Sequence, residues 1–168
     1  MQVMLCKIIL YVGYAAKSHY THSGGGANYL CLDKNPQWPD VTTAGFQSGG
    51  HIFGVEYQTL TGLIDSLGNN DAPCAVCHVE GQGETLMIPG NRTCPHTWTK
   101  EYEGLLVSQE NSQQKAEYVC LDFKPEVISG GGSNRNGGLF YTVEAVCGSL
   151  PCPPYVRGYE IACVVCTH

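Results

Sequence analysis

The chain reads PCAVC at residues 73–77 and ACVVC at residues 162–166. A C-x-x-C motif of small apolar residues that occurs twice has two interpretations. Four thiolates hold a zinc ion, or the motif recurs because the sequence around it recurs. The second interpretation predicts further matches at the same spacing, so the chain is first compared with itself.

Five landmarks recur at a constant spacing. Cys6, Cys31, Glu56, Cys74 and Cys77 are followed 88 or 89 residues later by Cys94, Cys120, Glu144, Cys163 and Cys166. The surrounding strings are similar, as in NYLCLD at 28–33 and EYVCLD at 117–122. The constant spacing predicts a tandem duplication, with repeat one at 1–89 and repeat two at 90–168, in a single domain over 1–168.

Cysteine content favours disulfides over the zinc site. The ten cysteines are Cys6, Cys31, Cys74, Cys77, Cys94, Cys120, Cys147, Cys152, Cys163 and Cys166. An even number at this density is typical of an oxidising compartment. Four equivalent cysteines in each repeat allow three pairings, which the sequence does not decide, but the same pairing is expected in both. Cys147 and Cys152 have no counterpart in repeat one and are predicted to form a local bridge.

Composition and patterning predict an all-β fold. Charged residues make up only 14% of the chain, and ten Tyr outnumber four Phe. Apolar runs rich in Val, Ile, Leu and Tyr alternate with Gly- and Pro-rich turns. The start, MQVMLCKIILYVGYAA, is interpreted as the first strand and not as a signal peptide, because it matches the start of repeat two. We expect two similar halves related by a pseudo-two-fold axis and stabilised by disulfides.

Charge and hydropathy limit the partners. A net charge of −6 with only nine Lys and Arg argues against nucleic-acid binding, which needs a basic surface. The apolar runs are shorter than the roughly 18–20 residues of a membrane-spanning helix, so membrane insertion is not expected. The disulfides, together with the glycosylation sequon Asn91-Arg92-Thr93, predict a secreted, extracellular protein.

Enzymatic activity is not expected. The chain lacks the G-x-S-x-G, H-E-x-x-H and P-loop motifs. Two pairs of carboxylates, Glu80 with Glu84 and Glu101 with Glu103, are interpreted as solvated charges and not as the acid and nucleophile of a glycosidase. His19 and His22 flank a Gly-rich loop; a surface role is favoured for them over metal ligation.

Several strings resemble a known family. They are SHYTHSGGGANYLCL at 18–32, LMIPG at 86–90, the Cys-Pro to Glu-Tyr-x-Gly run at 94–104 and CGSLPCPPYV at 147–156. They look like secreted, Cys-rich marine-invertebrate proteins that share the C-terminal module of short-chain sponge collagens. Within that family the chain looks closest to a sea-anemone lectin. The resemblance implies a homodimeric lectin that binds galactose-containing glycans and depends on Ca²⁺. The alternative is an extracellular matrix or assembly module without sugar binding.

The implied calcium ion needs six to eight oxygen ligands. Residues 65–71 supply them most densely, and the predicted ligands are Asp65, Asn69, Asn70 and Asp71. The predicted sugar-binding residues are Gln37, Trp38 and Asp40, with the indole against the apolar face of the sugar ring. Asp71 aligns with Ile161 in repeat two, so one site per chain is expected. A lectin with one site per chain agglutinates cells only if it self-associates, which again predicts a homodimer.

Overall fold

The computed structural model describes residues 8–38, 49–58, 67–81 and 83–168. These residues form nine β-strands and no helix, which confirms the all-β prediction. The strands are β1 Ile8–Lys17, β2 Leu30–Asp33, β3 Phe53–Tyr57, β4 Pro73–His78, β5 Thr85–Pro89, β6 Thr99–Ser108, β7 Val119–Asp122, β8 Gly138–Thr142 and β9 Ala162–Thr167. Residues 8–16 of the start of the chain therefore lie in a strand, as predicted. The described residues hold no helix that is long and apolar enough to cross a membrane.

The strands form one curled, mixed sheet in the order β2-β1-β3-β8-β6-β9-β5, with β4 also pairing with β1 and β7 with β6. The β3–β8 pair is parallel, and the other ladders are antiparallel. The two longest strands, β1 and β6, organise the sheet. Each has ten residues and pairs with three or more shorter strands.

Strands β1 and β6 lie in closely similar surroundings. Each carries a β-bulge near its start, between Ile9 and Tyr11 in β1 and between Lys100 and Tyr102 in β6. The Tyr11 hydroxyl donates to the Cys31 carbonyl at 3.2 Å, and the Tyr102 hydroxyl donates to the Cys120 carbonyl at 3.1 Å. Local sequence therefore places the same contacts on both strands.

A disulfide crosses each of these strands at a glycine. Cys74 of β4, the register partner of Gly13, bonds Cys31 of β2, the register partner of Ala15, and the two Cα atoms are 5.7 Å apart. Strands on either side of a flat strand are about 9.6 Å apart, so the sheet curls sharply at this point. A Cβ added to Gly13 would lie 1.8 Å from the Leu32 carbonyl oxygen. Only glycine fits inside the curl.

The second half has the same combination of a disulfide and a strand glycine. Cys163, the register partner of Gly104, bonds Cys120, the register partner of Leu106, with Cα atoms 5.8 Å apart. A Cβ on Gly104 would lie 1.7 Å from the Leu121 carbonyl oxygen. Two further bridges, Cys94–Cys166 and Cys147–Cys152, are also present, and the second confirms the predicted local bridge. Cys77 is disulfide-bonded as well, while Cys6, equivalent to Cys94, lies outside the described residues. The described cysteines include no free thiol, so a thiolate zinc site is not supported.

The core joins opposite faces of the two curled halves. The first half contributes Ala15 and Cys74, which lie on the face that carries its crossing disulfide. The second half contributes Leu105 and Val107, whose side chains point away from its crossing disulfide, because Gly104 and Leu106 occupy the alternate positions. The outer face of the first half is consequently exposed at four apolar side chains: Ile9 at 43%, Tyr14 at 43%, Leu30 at 47% and Leu32 at 38%.

One buried side chain in the core region is a lysine. Lys17, at the end of β1, is only 2% exposed, and its Nζ has no hydrogen-bond partner. The amine lies over the Tyr29 ring, 5.3 Å from the ring centroid. Burial lowers the pKa of Lys17 from 10.5 to about 8. Ser108, at the matching end of β6, instead donates its hydroxyl to the Glu117 carbonyl.

Substitution of Gly104 by Ala is expected to lower the free energy of unfolding by about 3 kcal/mol, because the added methyl group meets backbone that the disulfide holds in place. Gly54→Ala is the matched control, since Gly54 also lies in a strand but its Cβ would meet no atom within 4 Å. Denaturant unfolding of both variants checks the prediction. Equal stabilities would show that the sheet relaxes at the curl.

Substitution of Lys17 by Met is expected to stabilise the fold by about 1–2 kcal/mol near pH 7, because no buried ammonium is then desolvated. Below pH 8 the Lys17 amine is protonated in both the folded and the unfolded chain, so the cost of burying the ammonium is fully present. Above pH 10.5, the pKa in the unfolded chain, the amine is neutral in both states and this cost disappears. The gain should therefore shrink as the pH rises from 8 to 10. Thermal unfolding across this range measures it, with the exposed Lys115→Met as control; a gain independent of pH would contradict the assignment.

Candidate functional site

A pair of opposed carboxylates forms the centre of the candidate site. Glu56 of β3 and Asp71 face each other across an antiparallel bridge. The flanking hydrogen bonds run from Tyr57 N to the Asn70 carbonyl at 2.9 Å and from Ala72 N to the Val55 carbonyl at 2.9 Å. This pattern defines a non-hydrogen-bonded pair, in which opposite side chains approach most closely. Like charges at such a position are destabilising unless a positive charge offsets them. We call Glu56 and Asp71 the acidic pair.

Glu56 is nearly completely buried, with 2% exposure. Its Oε1 accepts a hydrogen bond from the Arg135 backbone N–H. Its Oε2 is buried and has no hydrogen-bond partner among the residues that the structure describes. A buried carboxylate oxygen without a donor or a cation is costly, so this atom marks a place where a positively charged ligand would be stabilised.

Asp71 is held against loop 129–137, which connects β7 to β8. Asp71 N donates to the Gly131 carbonyl at 3.1 Å, and Ile128 N donates to the Asp71 carbonyl at 3.0 Å. A Cβ on Gly131 would lie 2.8 Å from Asp71 Oδ2, so the glycine makes room for the carboxylate. Burial and the charge of Glu56 raise the pKa of Asp71, while the charge of Arg135 partly lowers it.

Asn69 and Asn70 form the turn before Asp71. Asn69 has a positive φ of 65° and is exposed. The Asn70 amide donates to the Leu67 carbonyl at 3.1 Å, which turns its Oδ1 towards loop 129–137, where a Cβ on Gly132 would lie 3.4 Å from that oxygen. Asn69, Asn70 and Asp71, three of the four predicted calcium ligands, are thus consecutive in the chain. Glu56 lies opposite Asp71 in the β-bridge and extends this set. Asp65 lies outside the described residues.

Glu56 is the residue that the sequence analysis did not select as a ligand. Its signal was present, since Glu56 and Glu144 are both repeat landmarks within apolar strands. The structure also corrects the alignment of Asp71. The matching bridge in the second half pairs Glu144 with Glu160, so the counterpart of Asp71 is Glu160 and not Ile161. Both glutamates of that second pair are exposed.

The predicted sugar-binding residues lie in the segment after β2 and not in the bridge that forms the acidic pair. Gln37 and Trp38 follow β2 and are exposed, Trp38 at 77%. Lys34 N, which leads into this segment, donates to the Val12 carbonyl, whereas Ala15 N donates to the carbonyl of Ala72 beside the acidic pair. The Trp38 indole is therefore not packed in the core. The segment that leads to Trp38 is hydrogen-bonded to β1 at Val12, whereas the segment that contains Asp71 is hydrogen-bonded to β1 at Ala15. Asp40 lies outside the described residues.

His19, His22 and Glu103 make structural contacts. The His19 and His22 rings stack with centroids 4.5 Å apart, and both meet Phe53 edge-on. Burial, followed by the charge of His22, lowers the pKa of His19. A hydrogen bond from Arg92 lowers the pKa of Glu103, which is the opposite of what a general acid needs. Within the described residues, no three His, Cys, Asp or Glu side chains are grouped to hold a metal.

Comparison of the chain with protein-family models, with curated proteins and with solved structures gave no significant match. The functional argument therefore depends on the residues of this chain alone.

Proposed function

We propose that the protein is a secreted lectin that binds galactose-containing glycans through a calcium ion held at the acidic pair. The observation that carries the proposal is the buried, unpartnered Oε2 of Glu56 opposite Asp71. Two carboxylates that face each other in a partly desolvated position repel each other, and a bound cation would relieve that repulsion.

The donor set fits calcium better than zinc. Glu56, Asp71 and Asn70 offer carboxylate and amide oxygens, which are hard ligands, and the loop beside them offers backbone carbonyls. Two carboxylates alone fall short of six to eight ligands. The remaining positions suit neutral oxygens, either from water or from sugar hydroxyls.

Neighbouring hydroxyls of one sugar ring suit those positions. Two hydroxyls that replace water come from a single rigid molecule, which lowers the ordering cost of binding. The axial O4 next to the equatorial O3 distinguishes galactose from glucose, and side chains that bond these hydroxyls would discriminate, because a misplaced hydroxyl leaves polar groups unpaired. The exposure of Trp38 supports a role in stacking on a sugar ring. The segment that carries Trp38 meets β1 at a different position from the acidic pair.

Calcium dependence is tested by calorimetry with lactose, in calcium and then in excess EDTA. Glu56→Gln and Asp71→Asn are expected to weaken calcium binding at least tenfold, about 1.4 kcal/mol, since each removes one anionic ligand and keeps the shape. Glu144→Gln is the matched control from the exposed second pair and should bind normally. Unchanged lactose affinity in EDTA would exclude the calcium mechanism, and a halved calcium stoichiometry in Glu144→Gln would show that both pairs bind.

The proposal includes self-association through the outer face of the first half. This face carries Tyr14 and Leu32 next to each other in the β1–β2 ladder, and it has no charged side chain at the described positions that point outwards from β1 and β2. A second copy of the chain is the proposed occupant of this face, and a standard interface needs about 800 Å² per partner.

Leu32→Glu is expected to convert a dimer into a monomer, because the two charges would be buried against each other. Leu86→Glu is the control, since Leu86 has a similar exposure of 40% but lies on β5. Sedimentation equilibrium distinguishes the two species. A wild-type monomer that agglutinates red cells would overturn the dimer and would favour two sugar sites per chain.

The same exposed face supports the alternative proposal of an extracellular matrix or assembly module, because apolar sheet faces also serve stable assembly. Agglutination that free galactose reverses separates the lectin from this module. The four described disulfides are consistent with the proposed secretion.

We also propose that the chain arose by tandem duplication. Several paired features support it: the glycine crossings, the bulges, the two acidic bridges, and the disulfides Cys31–Cys74 and Cys120–Cys163, which both span 43 residues. The pseudo-two-fold axis has less support. A two-fold axis brings the same face of each half together, whereas the core joins opposite faces.

A further inference from the structure

The turn between β5 and β6 contains Asn91-Arg92-Thr93, the single N-x-S/T sequon of the chain. Residues 89–93 are all exposed. The hydrogen bonds that this turn makes to other described elements run to Glu103 and Ala162 and not to the acidic pair. We propose that Asn91 is an N-glycosylation site and that its glycan covers the adjacent sheet edge.

The local geometry leaves the amide nitrogen available. Asn91 Oδ1 accepts three hydrogen bonds, from Arg92 N at 2.8 Å, from Thr93 N at 3.3 Å and from the Thr93 hydroxyl at 3.2 Å. The carbonyl oxygen is thus turned into the turn, and no acceptor in the described part of the chain bonds Nδ2. Thr93, the third residue of the sequon, places its hydroxyl against the Asn91 amide oxygen.

The turn is anchored on both sides. The Arg92 guanidinium bonds Glu103 of β6 at 3.0 Å and lies 5.4 Å from the Phe123 ring centroid. Cys94 is tied to Cys166 of β9. These contacts draw the neighbouring side chains onto the sheet and leave Asn91 as the residue that projects, which gives a glycan room without disturbing the fold.

The modification requires only a lipid-linked oligosaccharide diphosphate and its transferase. Nδ2 attacks the anomeric carbon of the first sugar, a C–N bond forms, and the bond from that carbon to the diphosphate oxygen breaks. The bonding pair leaves with the lipid diphosphate, and a base of the transferase takes one proton from Nδ2. The amide remains neutral, so the charge of the chain is unchanged.

The position gives the glycan a physical role. β5, which ends two residues before Asn91, is the last strand in the sheet order, and it exposes Leu86 at 40%. An exposed sheet edge is a template for pairing with other chains unless something covers it. A bulky, hydrated glycan beside Pro89 obstructs the approach of a second strand to this edge.

Secretion of the full chain from a eukaryotic cell line, together with a glycosylated reporter as a positive control, tests the proposal by intact mass. Wild type and Thr93→Ser should carry added hexose and N-acetylhexosamine mass, which an amidase that releases N-glycans removes. Asn91→Gln and Thr93→Ala should have the bare peptide mass and bind lactose as wild type does. The bare variants should also aggregate faster on concentration.

A secreted wild-type chain at the bare peptide mass, next to a glycosylated reporter, would overturn the modification. Glycosylated and bare chains that aggregate equally would overturn the edge-covering role. Lactose binding is read separately, so failure of the lectin proposal leaves both outcomes interpretable.

Discussion

The fold depends on two disulfides that each close over a glycine in the middle of a long strand. Cys31–Cys74 draws the strands on either side of β1 to within 5.7 Å, which a flat sheet does not allow. A side chain on Gly13 would meet the backbone of β2, so the bridge and the absence of a Cβ are required together. Because β6 repeats the arrangement at Gly104, both halves become curled units that present a concave face with a disulfide and a convex outer face.

The curl determines what the core buries and what it leaves outside. The convex face of the second half fills the core against the disulfide-bearing face of the first, so Leu105 and Val107 are buried. At the matching positions of the first half, Tyr14 is exposed whereas Ala16 is buried, and Leu32 beside Tyr14 is also exposed. Two similar halves thus differ in exposure at matching positions.

The apolar runs between Gly- and Pro-rich turns predict strands, and two of the observed strands depart from that pattern. The sequences of β4 and β5, PCAVCH and TLMIP, each contain Pro and lack a clear alternation of apolar and polar residues. Of the candidate site, the sequence located Asn69, Asn70 and Asp71 but not Glu56, because a bridge between distant residues decides which carboxylates meet.

The sequence by itself determined the all-β class, the local Cys147–Cys152 bridge and the internal spacing of the cysteines, since strand patterning and short-range closure are properties of neighbouring residues. The tertiary structure alone decided the pairs Cys31–Cys74, Cys94–Cys166 and Cys120–Cys163, because three pairings per half were equally compatible with the spacing. It also decided that Glu56 is buried opposite Asp71 while Glu144 and Glu160 are exposed. Burial depends on what packs over a residue, and the two halves of this chain pack over each other unequally.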